Sequence, residues 1–218
     1  HFQNYDQGAM GQEESHLVHT RTSSFALFAL ESFNFDLFDL DVGGRIESVN
    51  LKNTSMEKGF FPGAFSSTIK REIFSNNSAF AGFDFTERAP NAVELFAGGP
   101  HHAMEQFEVG DTNIDVETSY NFSLGYSYNK GFDFLKIETY YNYIDDFIAA
   151  DRDGTTTVVE GEDMNNVNFS QYNALFTGLE VSGQYAFAKI DDFEIISNFL
   201  MNFLKGYRIS NDKALSRI

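Results

Sequence analysis

The 218-residue chain has no cysteine, no tryptophan, only three prolines, and 15 basic residues against 32 acidic ones. Without cysteine there is no disulfide frame, no thiolate metal site and no cysteine nucleophile, and the redox compartment stays undetermined. The scarcity of Lys and Arg, at a net charge of -17, argues against nucleic acid as a partner, because phosphate binding needs clustered cations. The same charge would favour cations, and it equally serves solubility through self-repulsion. No window of about 18 consecutive apolar residues occurs, which excludes a membrane-spanning helix but not a membrane-spanning barrel. Also missing are a Ser elbow, a phosphate-cradling glycine loop and a His-Glu-x-x-His helix, so nothing points to an enzyme.

What the chain does have is 25 Phe, 10 Tyr and 17 Gly, set in alternation with polar residues. Residues 1–17 are polar and without period, and read as a surface loop. Beyond them a period of two sets in, as for a strand with one apolar face. Phe38, Leu40, Val42 and Ile46 share one parity, and Asp39, Asp41, Arg45 and Glu47 the other. In the clearest stretch, Tyr120, Phe122, Leu124, Tyr126 and Tyr128 alternate with Ser119, Asn121, Ser123, Gly125 and Ser127. A turn at Asn129-Lys130-Gly131 leads to Leu135, Ile137, Tyr141 and Tyr143 opposite Lys136, Glu138 and Asn142, which predicts a long hairpin. Leu175, Leu179, Val181, Tyr185 and Phe187 continue the pattern, and Phe193, Ile195, Phe199, Met201 and Phe203 follow a turn at Lys189-Ile190-Asp191. About eight strands result, several longer than the usual five or six residues.

Long alternating strands with short turns at one end fit an all-β, antiparallel transmembrane barrel, here a partial one. Residues 87–116 and 149–172 would be its outer loops. A secreted, soluble β-sandwich acting as a binding module has equally apolar inner faces and remains the alternative. Strand length, and the Gly, Ser and Asn on the polar faces, favour the barrel.

The stretch Glu87-Arg88-Ala89-Pro90-Asn91-Ala92-Val93-Glu94-Leu95-Phe96 resembles the Arg-Ala-Pro and Glu-Leu-Tyr/Phe signature of TonB-dependent receptors. In family order come Gly99-Pro100-His101, Phe107-Glu108-Val109-Gly110-Asp111, Glu117, Asn121 and Leu124-Gly125. After them stand Tyr141-Asn142-Tyr143-Ile144-Asp145-Asp146-Phe147-Ile148, Thr177-Gly178-Leu179-Glu180 and Leu215-Ser216-Arg217-Ile218. The resemblance spans residues 18–218. Thr112, Asp115-Val116 and Ser216 depart from it where Pro or Lys-Pro is usual, which alters turn stiffness more than chemistry. Such receptors carry a TonB-contacting segment, a plug and about 22 barrel strands. The resemblance therefore implies an internal barrel piece of a bacterial outer-membrane receptor. Its expected partners are the TonB complex through an absent plug, outer-membrane lipid and lipopolysaccharide, and a metal ion or metal chelate.

Within the family, Gly99-Pro100-His101-His102-Ala103-Met104-Glu105 most resembles the zinc-uptake receptors of the ZnuD kind. That likeness implies His101, His102, Glu105 and Glu108 as metal-contacting residues, with Asp111 near by. Imidazole and carboxylate are suitable zinc ligands, and solvated loop histidines are the plainer alternative. No resident cofactor is expected. The cargo implied first is zinc, with haem or a ferric siderophore as the alternative. His16 and His19, beside Glu13 and Glu14, form a second candidate capture site. The acidic stretch Asp151 to Asp163 lacks calcium-loop spacing and reads as solvated. Arg88, Pro90 and Glu94 are assigned a structural part, Arg88 pairing with a carboxylate to hold the loop base.

Overall fold

A computed structural model describes residues 1–7, 16–190, 193–210 and 213–215. Strands β1 (Phe2–Gln7), β2 (Thr20–Asn34), β3 (Asp39–Lys52), β4 (Glu57–Phe60), β5 (Gly63–Phe74) and β6 (Asn77–Arg88) come first. A short helix α1 (Ala92–Phe96), β7 (Gly98–His101), a 3-10 turn at His102–Met104 and β8 (Gln106–Val109) follow. The remainder is β9 (Glu117–Lys130), β10 (Asp133–Val159), β11 (Glu162–Ile190), β12 (Phe193–Arg208) and β13 (Lys213–Ala214). All strands belong to one sheet, whose main path runs β1-β2-β3-β5-β6-β9-β10-β11-β12-β13 and does not close. Pairing along this path is antiparallel throughout. The result is a partial barrel, and a single continuous sheet sets aside the two packed layers of the sandwich alternative.

The expected alternation is what fixes the register. On the outer face Tyr120 lies between Phe85 and Tyr143, and Phe122 between Phe83 and Tyr141. Leu179 faces Phe203, and Val181 faces Met201. Cross-strand rings meet there, Phe83 with Phe122 at 4.9 Å and Phe85 with Tyr120 at 5.5 Å. Yet Phe122 is 53 % and Leu124 61 % exposed, so this apolar face is presented outward rather than packed. The inner face carries Asp84 hydrogen-bonded to Asn121 at 3.1 Å, with Asn142 next in line. Inner glycines make room for rings from the next strand: a Cβ on Gly125 would stand 2.1 Å from Phe80, and one on Gly178 2.3 Å from Tyr140.

Eight strands have twelve or more residues: β2, β3, β5, β6, β9, β10, β11 and β12. Their number agrees with the count of about eight expected from the alternation, and the short strands are additions. Three loop expectations need correction. Phe2–Gln7 is not loop but the edge strand β1, pairing Phe2 with Phe25 through Gln7 with Thr20; its backbone pairing does not depend on the missing period. The stretch expected as a loop over residues 149–172 is the continuation of the β10–β11 hairpin, closed at Glu160-Gly161. Both turn residues have positive φ, 53° and 89°, the requirement of a two-residue hairpin turn. Thr155 to Val159 are β-branched, which sustains the strand although both its faces are polar at first. The third, residues 87–116, contains α1 and the β7–β8 hairpin. The turn expected at Lys189-Ile190-Asp191 runs into residues 191–192, which lie outside the described residues, as do Glu13, Glu14 and residues 216–218 of the tail motif.

Candidate functional site

Turns at the β2–β3, β5–β6 and β9–β10 junctions are short and lie at one end, while residues 53–62, 89–116 and the β10–β11 tip gather at the other. At this loop end a compact core forms. Leu17, Leu51, Phe60, Ala92, Leu95, Ile114 and Ile148 are its buried members, drawn from stretches far apart in the chain. The sequence makes α1 locally. Asn91 caps it by accepting from the Val93 and Glu94 amides, and the Glu94 carboxylate in turn accepts from the Asn91 amide, a capping box. Gly98-Gly99-Pro100 then prevents continuation. Gly110 passes so close that a Cβ would meet the Leu95 to Ala97 backbone at 2.7–2.8 Å, and its amide donates to the Ala97 carbonyl.

The base of this structure is ionic. Arg88, the last residue of β6, donates to Glu94 at 3.0 and 3.2 Å and to Glu117 at 3.2 and 3.3 Å. Glu117 also accepts the Ile148 amide at 2.8 Å, so one guanidinium joins β6, α1, β9 and β10. Pro90 is fully buried beside it.

Above this base β7 and β8 form a small hairpin, pairing His101 with Gln106 and Gly99 with Glu108. β8 adds in parallel to β11, Gln106 beside Asn165 and Val109 beside Asn168, fastening the hairpin to the long β10–β11 pair. His101 Nδ1 lies 2.8 Å from the Glu108 carboxylate, which is buried. From a distant stretch, Leu17 bridges to Ala97 and the His16 carbonyl accepts the Gly98 amide at 2.9 Å. His16 is thereby laid on His101, the rings parallel within 4° and 4.8 Å apart. One nitrogen each of His16 and His101 and one Glu108 oxygen all fall within 4.8 Å of one another. Two imidazoles and a carboxylate are a ligand chemistry suited to zinc and its first-row neighbours.

Of the residues expected to contact metal, the structure brings His101 and Glu108 together and leaves His102 and Glu105 exposed outside the cluster. Glu105 instead turns the chain, with φ at 52°, and its carbonyl accepts the Asn165 amide. His16 joins from the second candidate site, while His19 stays exposed and apart. The meeting of His16 with His101 was beyond sequence reasoning, because it follows from pairing between segments 80 residues apart.

Two further features stand out among the described residues. A cavity of about 350 Å³ is lined by Tyr5, Thr22, Glu47, Glu87, Arg88 and Asn91, and Thr22 Oγ1 has no partner there among the described residues. On β10–β11, Phe147 meets Tyr172 and Phe176 edge-on at 5.7 and 5.5 Å, and Arg208 stacks on Tyr172 at 3.4 Å while pairing with Asp151. At the hairpin's outer end Asp153 accepts from the Thr155 hydroxyl and amide and from Asn168, which hold its carboxyl below the usual range.

The profile of the family described as TonB dependent receptor-like, beta-barrel matches residues 3–215. Among solved structures, the copper transporter OprC superposes with a TM-score of 0.70 at 17% identity, over 90% of this chain and 31% of that one. The hemophore receptor HasR of Serratia marcescens, in a complex with its hemophore HasA and heme, gives 0.64 at 15%, over 94% of this chain and 37% of that one. The siderophore receptor PirA of Pseudomonas aeruginosa gives 0.55 at 15%, over 88% and 46%. The chain thus spans less than half the length of each.

Proposed function

The chain belongs to the TonB-dependent receptor β-barrel family, and from that premise we propose that it forms wall and mouth of a bacterial outer-membrane receptor importing a scarce metal nutrient, zinc first. The receptor is a transporter and not an enzyme. Its outward apolar face meets lipid and lipopolysaccharide. Energy for import comes from the TonB complex acting on a plug inside the barrel.

The observation that carries the cargo reading is the convergence of His16, His101 and Glu108 at the loop end. Such a cluster meets a metal before it enters the barrel. Support comes from the net charge of -17, which lowers the potential for an approaching cation. The alternative cargo, haem or a ferric siderophore, is favoured by the Phe147, Tyr172 and Phe176 rings with Arg208, which offer a planar ligand stacking surfaces and a cation.

Uptake of labelled zinc by metal-starved cells carrying the complete gene separates these readings. With surface expression matched, His101→Ala and His16→Ala are expected to lower zinc uptake and leave haem use unchanged. Unchanged zinc uptake in both variants moves the cargo to haem or siderophore.

A further inference from the structure

The three members of the mouth cluster are not equivalent. Glu108 is the most enclosed, its side chain 10 % exposed against 35 % for His101, and its carboxylate is engaged with Nδ1 of that histidine. A carboxylate only accepts, so the bond places the His101 proton on Nδ1 and leaves the lone pair on Nε2. His16 and His101 are stacked within 4° of parallel. An imidazole lone pair lies in the ring plane, so two stacked rings cannot both address one ion until one turns. Glu108 holds His101; among the described residues no hydrogen bond holds the His16 ring, so His16 is the ring that turns.

Deepening the metal-import reading and resting on it, we infer that His101 through Nε2 and a rotated His16 are the ligands, and that Glu108 is a positioning residue acting through His101. A ligating histidine whose other nitrogen is fixed by a carboxylate has a set tautomer and ring direction and a more basic ligating nitrogen. Two imidazoles leave the remaining positions to water or to an accompanying chelator. The cargo class is therefore a divalent ion of borderline softness that arrives hydrated or weakly chelated and stays exchangeable.

The test uses the complete receptor in detergent, titrated with Cu²⁺ alone as a paramagnetic probe and with Zn²⁺ in competition. Electron paramagnetic resonance counts the imidazole nitrogens on the metal: two in the wild type, one in His16→Ala and one in His101→Ala. Glu108→Gln keeps an oxygen that accepts from Nδ1, so its affinity stays within about threefold of wild type with both nitrogens present, whereas Glu108→Ala loses about 10- to 100-fold. If Glu108→Gln falls as far as Glu108→Ala, the carboxylate is itself a ligand and the assignment is overturned. Two nitrogens persisting in His16→Ala overturn it as well. A wild-type receptor that binds neither ion overturns the metal reading as a whole, while failure limited to the Glu108 variants leaves import untouched, because uptake is read separately in cells.

Discussion

The wall and the mouth place apolar residues in opposite ways. From Ser119 to Tyr128 of β9 the large side chains stand outward, Leu124 among them at 61 % exposure, and the inner positions are Ser, Asn and Gly. In the segment between Arg88 and Glu117, Ala92, Leu95 and Ile114 are buried, Leu95 at 1 %, and are held over an ionic base. The wall is built for an apolar solvent and the mouth for water. One covalent chain therefore obeys two solvent rules, and the boundary falls at the strand ends where Arg88 and Glu117 face each other.

The largest expected effect breaks the mouth alone. Leu95→Ala should destabilise it by about 2–5 kcal/mol, because a fully enclosed leucine leaves a cavity. In the complete receptor in detergent, faster limited proteolysis within residues 89–116, with the barrel's heat-modified gel mobility unchanged, checks this. Breaking the wall needs the opposite kind of change. Leu124→Arg on the outer face should cost about 2–4 kcal/mol in a bilayer at mid-depth, and Ser123→Arg on the inner face far less. Folding into lipid vesicles, followed by urea titration, measures the difference, and equal costs would mean that the faces are misassigned.

Much of the wall was legible in the sequence, because a period of two needs only near neighbours. The alternation from Ser119 to Tyr128 set both faces of β9 correctly. It failed at Asp151 to Thr157, where polar side chains occupy both faces and the strand persists through β-branched residues and cross-strand pairing on either side of a bulge. The mouth was legible in part. The Asn91-to-Glu94 capping box is local, but the parallel docking of β8 on β11 and the Leu17–Ala97 bridge are not. His101 and His102 are neighbours in sequence, and only the change from β7 to the 3-10 turn decides which one meets Glu108.

The smallest expected effect sharpens the comparison from the water side. Asp153 is fully exposed and titrates below the usual carboxylate range because it accepts from Thr155 and Asn168. A depressed folded-state value means that its contribution is present above the unfolded pKa and is lost as pH falls through the folded one. Hydrogen exchange at the Thr155 amide, corrected for intrinsic rate, should speed up over that acidic interval in the wild type and not in Asp153→Ala. Wall amides should show no such step.

Strands of 27 and 29 residues joined by the Glu160-Gly161 turn have a contour length of roughly 90 Å each, and a tilted crossing of the hydrocarbon uses only about ten residues. Most of the excess stands beyond the membrane on the loop side. The hairpin is then a mast, its tip the part of this segment that an antibody or a phage would reach first. Because β8 is laced along its flank, whatever seizes the mast also takes hold of the ledge that carries His101.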